Sequence, residues 1–250
     1  MVAVVVLIHS PLVGPLTWSL VGDELRRRGV GAVVPTLADA EDDKPPFWRQ
    51  HAAAVARGIE AIPAGTAIVL VGHSGAGPLL PVIGQRVSCP VAAYVFVDAG
   101  IPANGKSRLD LMAVENPALA GELRRHLTAG GRFPGWREED LRAAIPEPRL
   151  RRQMIEEMHP RSLAFFAEPI PVFAGWPDAP RGYLRLSSAY GDPAKRARQD
   201  AWAYREIDGG HFHMLVEPPA VADAILDLVE QLVGSAIATP GPKCPAAPGC

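Results

Sequence analysis

The chain has 250 residues, 48% of them hydrophobic, and its 25 basic and 27 acidic residues give a formal net charge of −2. This apolar content can build a core and excludes low-complexity disorder. The balanced charge argues against a nucleic-acid-binding protein. The early apolar run at residues 2–8 is far shorter than the ~20 residues of a membrane-spanning helix, and it lacks the flanks of a signal peptide. The length fits one domain.

The cysteines indicate a reducing compartment. There are three, Cys89, Cys244 and Cys250, and the last two lie in a Pro/Gly/Ala-rich tail. An odd, scattered set does not form a disulfide framework, and no Cys–His spacing indicates a zinc site. We therefore expect a cytoplasmic protein without a metal.

The first hundred residues alternate between strand and helix patterns. Continuous apolar runs predict buried strands at residues 2–8, 31–34, 67–71 and 92–97. Helical spacing predicts helices at residues 18–28, 47–62 and 75–87, the last with an irregular start because of its prolines. This alternation predicts an α/β fold with a doubly wound, mostly parallel sheet.

The alternation stops after residue 98. Helical patterns follow at residues 107–115, 117–127, 138–144, 149–158 and 161–167, and they predict a helical lid at 99–171 inserted between two strands. Strands resume at 182–187 and 203–207, and a helix at 221–233 ends the pattern. The predicted organisation is a core at 1–98 and 172–235, the lid, and a flexible tail at 236–250.

One motif carries chemistry. Residues 72–77 read Gly-His-Ser-Gly-Ala-Gly directly after a predicted strand. The strand–turn–helix motif G-x-S-x-G exposes a strained serine to act as a nucleophile, which here is Ser74. The final glycine of that motif is replaced by Ala76, and a glycine comes one position later, at Gly77. The alternative is an ordinary serine on a turn between a strand and a helix.

With this motif the chain resembles an α/β-hydrolase along nearly its whole length. The segment His-Ser-Pro-Leu-Val-Gly-Pro-Leu-Thr-Trp, residues 9–18, is similar to the first loop of the hydroxynitrile lyase and plant methylesterase branch. The resemblance implies an α/β-hydrolase fold, chemistry without a cofactor, and a histidine base downstream of the lid.

The resemblance places that base at His211, with His213 as a rival two residues later. A neutral imidazole can take the serine proton and return it to a leaving group. His9 and His73, which flank the site in sequence, match histidines that are structural in this family.

The acid that orients the base has two candidates. The usual family position falls at or near Ala189. Asp192 lies three residues later, and the glycine and proline of residues 191–193 predict a turn there. The other candidate is Asp98, which ends a strand and resembles the segment of some haloalkane dehalogenases where a carboxylate holds this place. Because the carboxyl ends of parallel strands converge on the ligand crevice, we predict that Asp98, and not Asp192, bonds the ring of His211.

The oxyanion site departs from the family pattern. The backbone N–H of Gly75 is one expected donor, but the second falls on Pro11, which has no N–H. Either Leu12 or the hydroxyl of Ser10 substitutes, or the reaction forms no full oxyanion. Ser10 matches a substrate-contacting threonine of the lyases, but the lysine those lyases carry after the catalytic histidine is absent, so cyanohydrin cleavage is not expected.

These residues predict a serine hydrolase that acts on a small ester, thioester or amide through Ser74, His211 and Asp98. Two alternatives remain: a non-hydrolytic epimerase, lyase or cyclase on the same scaffold, and a ligand-binding protein. The expected partner is a small-molecule substrate, with neither a nucleic acid nor a membrane. The substrate and the oligomeric state are not predicted.

Overall fold

A computed structural model describes residues 3–37 and 44–234. Within these ranges six parallel strands form one sheet in the order β2-β1-β3-β4-β5-β6. They are β1 (Val4–Ile8), β2 (Ala32–Val33), β3 (Ile68–His73), β4 (Val91–Val97), β5 (Arg181–Arg185) and β6 (Ala203–Glu206). The predicted parallel α/β sheet is confirmed, while the predictions for Cys244, Cys250 and the tail lie outside the described residues.

Nine α-helices accompany the sheet in the described ranges. They are α1 (Leu16–Arg27), α2 (Phe47–Gly58), α3 (Leu80–Arg86), α4 (Arg108–Glu115), α5 (Pro117–Thr128), α6 (Pro148–Glu156), α7 (Leu163–Ala167), α8 (Gly191–Gln199) and α9 (Pro218–Val233). No helix in this part of the chain combines the length and hydropathy that a membrane span requires.

Two local predictions are wrong. Residues 138–144 form successive turns rather than a helix, because bonds such as Ala144 N–H to the Leu141 carbonyl span three residues and Pro146 follows at once. The turn predicted at residues 191–193 is instead the first turn of α8. Proline suits the first turn of a helix because the N–H that it lacks would have no partner there. Aspartate suits it because the N-terminus of a helix attracts negative charge.

Helices cover both faces of the sheet. Along β1, Val5 and Leu7 point into the cluster that contains α1 and α9, while Val6 and Ile8 point into the cluster that contains α2, α3 and α8. Successive side chains of a strand point to opposite faces, so a strand buried on both faces must be apolar throughout. This explains the unbroken apolar runs of the sequence.

Residues 99–180 connect β4 to β5 and contain α4 to α7; we call them the helical segment. It has a small apolar cluster of its own, in which Leu109, Leu123 and Phe165 pack with Phe47 from α2. The segment therefore rests on the second helix of the core. The lid role and the boundary at residue 171 stay predictions.

A carboxylate from the helical segment caps α2. Glu168 is 7% exposed, and its two oxygens accept the backbone N–H groups of Phe47 at 2.6 Å and Trp48 at 3.1 Å. The residue before the helix is Pro46, whose side chain has no acceptor. Glu168 thus satisfies the first amides of α2 and ties the helical segment to the core.

We expect Glu168→Ala to lower the free energy of unfolding by about 2 kcal/mol, because it leaves the buried N–H of Phe47 and the part-buried N–H of Trp48 without their acceptor. Urea unfolding followed by tryptophan fluorescence measures this change. Glu60→Ala, at an exposed position, is the matched control and should change stability little. A Glu168→Ala variant as stable as the control would contradict the capping role.

Candidate active site

Ser74 lies at the sharp turn between β3 and a 3₁₀ turn at Ser74–Leu79. Its φ angle is +56°, a left-handed conformation that is unfavourable for residues other than glycine. Such strain persists only where the surrounding structure imposes it, and it is typical of the serine in this strand–turn–helix motif. The predicted strand–turn–helix motif is therefore present.

A steric contact explains why the last glycine of the motif lies at residue 77 and not at residue 76. A Cβ atom on Gly77 would lie 2.3 Å from the carbonyl oxygen of Gly100, which no side chain permits. Ala76, by contrast, is fully buried in the core beneath the turn. The close approach that demands glycine thus falls one residue later than the usual motif places it.

His211 lies on the loop after β6 and bonds both neighbours that the sequence predicted. Its Nε2 lies 3.1 Å from Ser74 Oγ, and its Nδ1 lies 2.9 Å from Asp98 Oδ2. The rival His213 begins a separate 3₁₀ turn, and its ring packs beside Gly209. The structure therefore joins Ser74, His211 and Asp98 in one hydrogen-bonded chain.

Asp98 follows β4 and is completely buried. Besides His211, it accepts bonds from the backbone N–H of Leu186 at 2.8 Å, and from the N–H and hydroxyl of Ser187 at 3.0 and 2.5 Å. Burial alone would raise its pKa, but the bonds from His211, Ser187 and Leu186 outweigh burial and hold the pKa below its usual value. The carboxylate is therefore ionised at neutral pH.

Asp192 occupies the first turn of α8. Both ring nitrogens of His211 already have partners, Asp98 and Ser74. The expected geometry, with Asp98 rather than Asp192 on the histidine ring, agrees with the structure.

His9 and His73 hold backbone around the site. The Nδ1 of His9 donates to the Ser10 carbonyl at 2.8 Å, and its Nε2 accepts the N–H of Leu37 at 3.1 Å. The Nε2 of His73 donates to the carbonyl of His211 at 3.0 Å. Burial lowers the pKa of His9 to about 4 and that of His73 well below its usual value, so both rings are neutral.

The first loop lies directly over the turn that carries the serine. A Cβ atom on Gly75 would be 3.0 Å from Ser10 Oγ and 3.6 Å from Pro11 Cδ. The N–H of Leu12 is engaged with Ser10 Oγ at 3.3 Å. The Ser10 hydroxyl therefore lies next to Gly75, while the Leu12 amide is bonded to that hydroxyl.

The helical segment holds this loop in place. Arg161 donates from Nε and Nη2 to the Pro11 carbonyl, both at 3.2 Å, and the His159 N–H donates to the Leu12 carbonyl at 2.8 Å. Glu157 accepts the N–H of Leu16 at 2.8 Å. The backbone beside Ser74 is therefore positioned by residues more than 140 positions away in the chain.

Two contacts of the site were missed by the sequence analysis. Ser187 bonds Asp98, as described above, and the Tyr190 hydroxyl lies 3.1 Å from Ser74 Oγ. The Tyr190 ring also stacks on that of His211, with an interplanar angle of 10° and centroids 5.0 Å apart. Their positions in the sequence could have indicated these contacts, because both residues follow β5, whose carboxyl end meets the crevice.

Within the described residues, no cluster of histidine, cysteine and acidic side chains could hold a metal ion.

The family comparison agrees with this geometry. A model of the alpha/beta hydrolase family matches residues 5–224. This protein belongs to the α/β-hydrolase family. Comparison with curated protein sequences gives no significant match.

Solved structures share the fold of this α/β-hydrolase at low sequence identity. An extracellular α/β-hydrolase from a Paenibacillus species, related to tobacco salicylic acid binding protein 2, is 20% identical over 90% of this chain and 98% of its own, with a TM-score of 0.71. A variant of tomato methylketone synthase I is 14% identical over 93% of this chain and 99% of its own, with a TM-score of 0.68. Polyneuridine aldehyde esterase is 16% identical over 92% and 100%, with a TM-score of 0.65. The predicted likeness to plant methylesterase-type proteins is confirmed at the level of fold.

We expect Asp98→Asn to lower kcat for p-nitrophenyl acetate by about 10⁴-fold, because an amide no longer fixes the tautomer or stabilises the charge of His211. Steady-state kinetics measures the loss, and circular dichroism should show a folded variant. Asp192→Asn is the matched control and should retain most activity. Equal losses in the two variants would contradict the assignment of Asp98.

Pro11→Ala restores a backbone N–H where the family has an oxyanion donor, so we expect it to raise kcat for p-nitrophenyl acetate by roughly 10–100-fold. The Pro11 carbonyl, and with it the bond to Arg161, is retained. Pro148→Ala, at an exposed helix start, is the control. Unchanged turnover in Pro11→Ala, together with a sharp loss in Ser10→Ala, would show that the loop builds its oxyanion site differently.

Proposed function

We propose that this α/β-hydrolase is a serine hydrolase that cleaves a small ester, thioester or amide, with Ser74 as nucleophile, His211 as base and Asp98 as the orienting acid. The observation that carries the proposal is the continuous chain from Ser74 Oγ through both nitrogens of His211 to the buried Asp98 carboxylate. An activated serine needs this combination: a base within hydrogen-bond reach and a third group that orients the base.

In the acylation step, Ser74 Oγ attacks the acyl carbon and its proton passes to His211 Nε2. The imidazolium that forms is stabilised by Asp98, which stays ionised. The N–H of Gly75 donates to the oxyanion. His211 then protonates the leaving group as the tetrahedral intermediate collapses to an acyl-enzyme.

In the deacylation step, His211 removes a proton from water as the water oxygen attacks the acyl carbon. The bond from that carbon to Ser74 Oγ then breaks, His211 returns the proton to Oγ, and the acid product leaves. These steps need only groups that the chain supplies. We propose a small-molecule substrate, and the cytoplasmic location expected from the cysteines belongs to the same proposal.

The first loop favours a second candidate. Pro11 removes an oxyanion donor, which matters little if Ser74 and His211 move a proton rather than form an acyl-enzyme. The second candidate is therefore an epimerase, lyase or cyclase. The two differ in whether Ser74 becomes covalently modified during turnover.

We expect a fluorophosphonate probe to label the protein once, at Ser74, because the strand–turn–helix motif presents Oγ beside a base. Intact-mass spectrometry and peptide mapping measure the label. Ser74→Ala should abolish both labelling and ester turnover. The matched control is Ser188→Ala, which removes an exposed hydroxyl from the neighbouring loop and should change neither.

A wild-type protein that resists the probe, and that turns over no ester, would overturn the hydrolase proposal. Proton exchange at a substrate carbon without labelling would favour the second candidate. Ligand binding without either reaction would indicate a binding protein on the same fold.

A further inference from the structure

The protons of the site can be assigned from the hydrogen bonds. Asp98 is ionised and can only accept, so the Nδ1 of His211 carries a proton and donates it. In a neutral imidazole the other nitrogen, Nε2, is then an acceptor. Its partner at 3.1 Å is Ser74 Oγ, so the single hydroxyl proton of Ser74 points to His211.

This assignment fixes the direction of the bond between Ser74 and Tyr190. Since the only proton of Ser74 is given to His211, its oxygen must accept from the Tyr190 hydroxyl at 3.1 Å. Burial raises the pKa of Tyr190, so the phenol keeps its proton throughout the neutral range. Tyr190 is thus a neutral donor aimed at the nucleophilic oxygen.

The ring of Tyr190 is held where this donor is useful. It stacks in parallel on His211, and its backbone lies in the 3₁₀ turn Ser188–Tyr190 that follows β5. The loop that carries the acid in most of the family therefore delivers a phenol, while the acid comes from Asp98 at the end of β4.

We propose that Tyr190 is a catalytic residue of the hydrolase, whose hydroxyl donates to the substrate oxyanion and replaces the donor missing at Pro11. The inference rests on the proposed function. When Ser74 Oγ bonds to the acyl carbon, the π electrons move to the carbonyl oxygen and the serine proton moves to His211. The Oγ becomes an ester-like oxygen and a poor acceptor. The Tyr190 hydroxyl then turns to the oxyanion, two bonds from Oγ, and keeps its own proton.

The test is Tyr190→Phe, which keeps the stacked ring and removes the hydroxyl. We expect kcat to fall by about 10²-fold, with KM little changed, on both p-nitrophenyl acetate and phenyl acetate. The affinity for a trifluoromethyl ketone, which forms a tetrahedral adduct on serine, should fall by a similar factor. The matched control is Tyr204→Phe, which removes an exposed hydroxyl bonded to Glu206. It should leave kcat, KM and the inhibitor affinity unchanged.

A double-mutant cycle with Pro11→Ala tests whether the two donors serve the same oxygen. If they do, the restored N–H compensates for the lost hydroxyl, and Tyr190→Phe costs less in the Pro11→Ala background than in the wild type. Independent losses in the two backgrounds would overturn the assignment to the oxyanion.

The remaining outcomes are also decisive. A Tyr190→Phe variant with wild-type kcat and inhibitor affinity overturns the inference, while labelling of Ser74 leaves the hydrolase proposal standing. A much larger loss on phenyl acetate than on p-nitrophenyl acetate would assign Tyr190 to the leaving group instead. A wild-type protein with neither labelling nor ester turnover overturns the proposed function, and the role of Tyr190 with it.

Discussion

The buried, ionised carboxylate of Asp98 is the constraint on which the whole site depends. A charge with no solvent exposure is tolerated only when its oxygens are bonded, and Leu186, Ser187 and His211 supply those bonds. Because Asp98 can only accept, it fixes the tautomer of His211, and the tautomer fixes the direction of the Ser74 proton. One electrostatic requirement thus sets the proton order of the proposed triad.

Much of this was predictable from the sequence, because the strands are buried on both faces and read as continuous apolar runs. Asp98 could be placed at the crevice because it follows the end of a strand, and the carboxyl ends of parallel strands converge there. Tyr190 was not predictable, because its contact with Ser74 depends on the path of a loop, which no periodicity records. The helix at Gly191–Gln199 was missed because its glycine and proline are signals shared by turns and helix starts.

The helical segment is bonded to the core at several places. Glu168 caps the helix that begins at Phe47, and Glu157, His159 and Arg161 bind the first loop. Each of these bonds joins a side chain or amide of the segment to backbone of the core. The segment is therefore part of the framework that positions the groups around Ser74.

This attachment has a consequence for how the protein can be altered. An exchange of the helical segment between relatives would also replace residues 157–161, which fix the Pro11 and Leu12 carbonyls. A graft that keeps α4 and α5 but replaces this short stretch would loosen the loop beside Ser74. A chimaera that keeps the first loop in place must therefore have its C-terminal junction before residue 157.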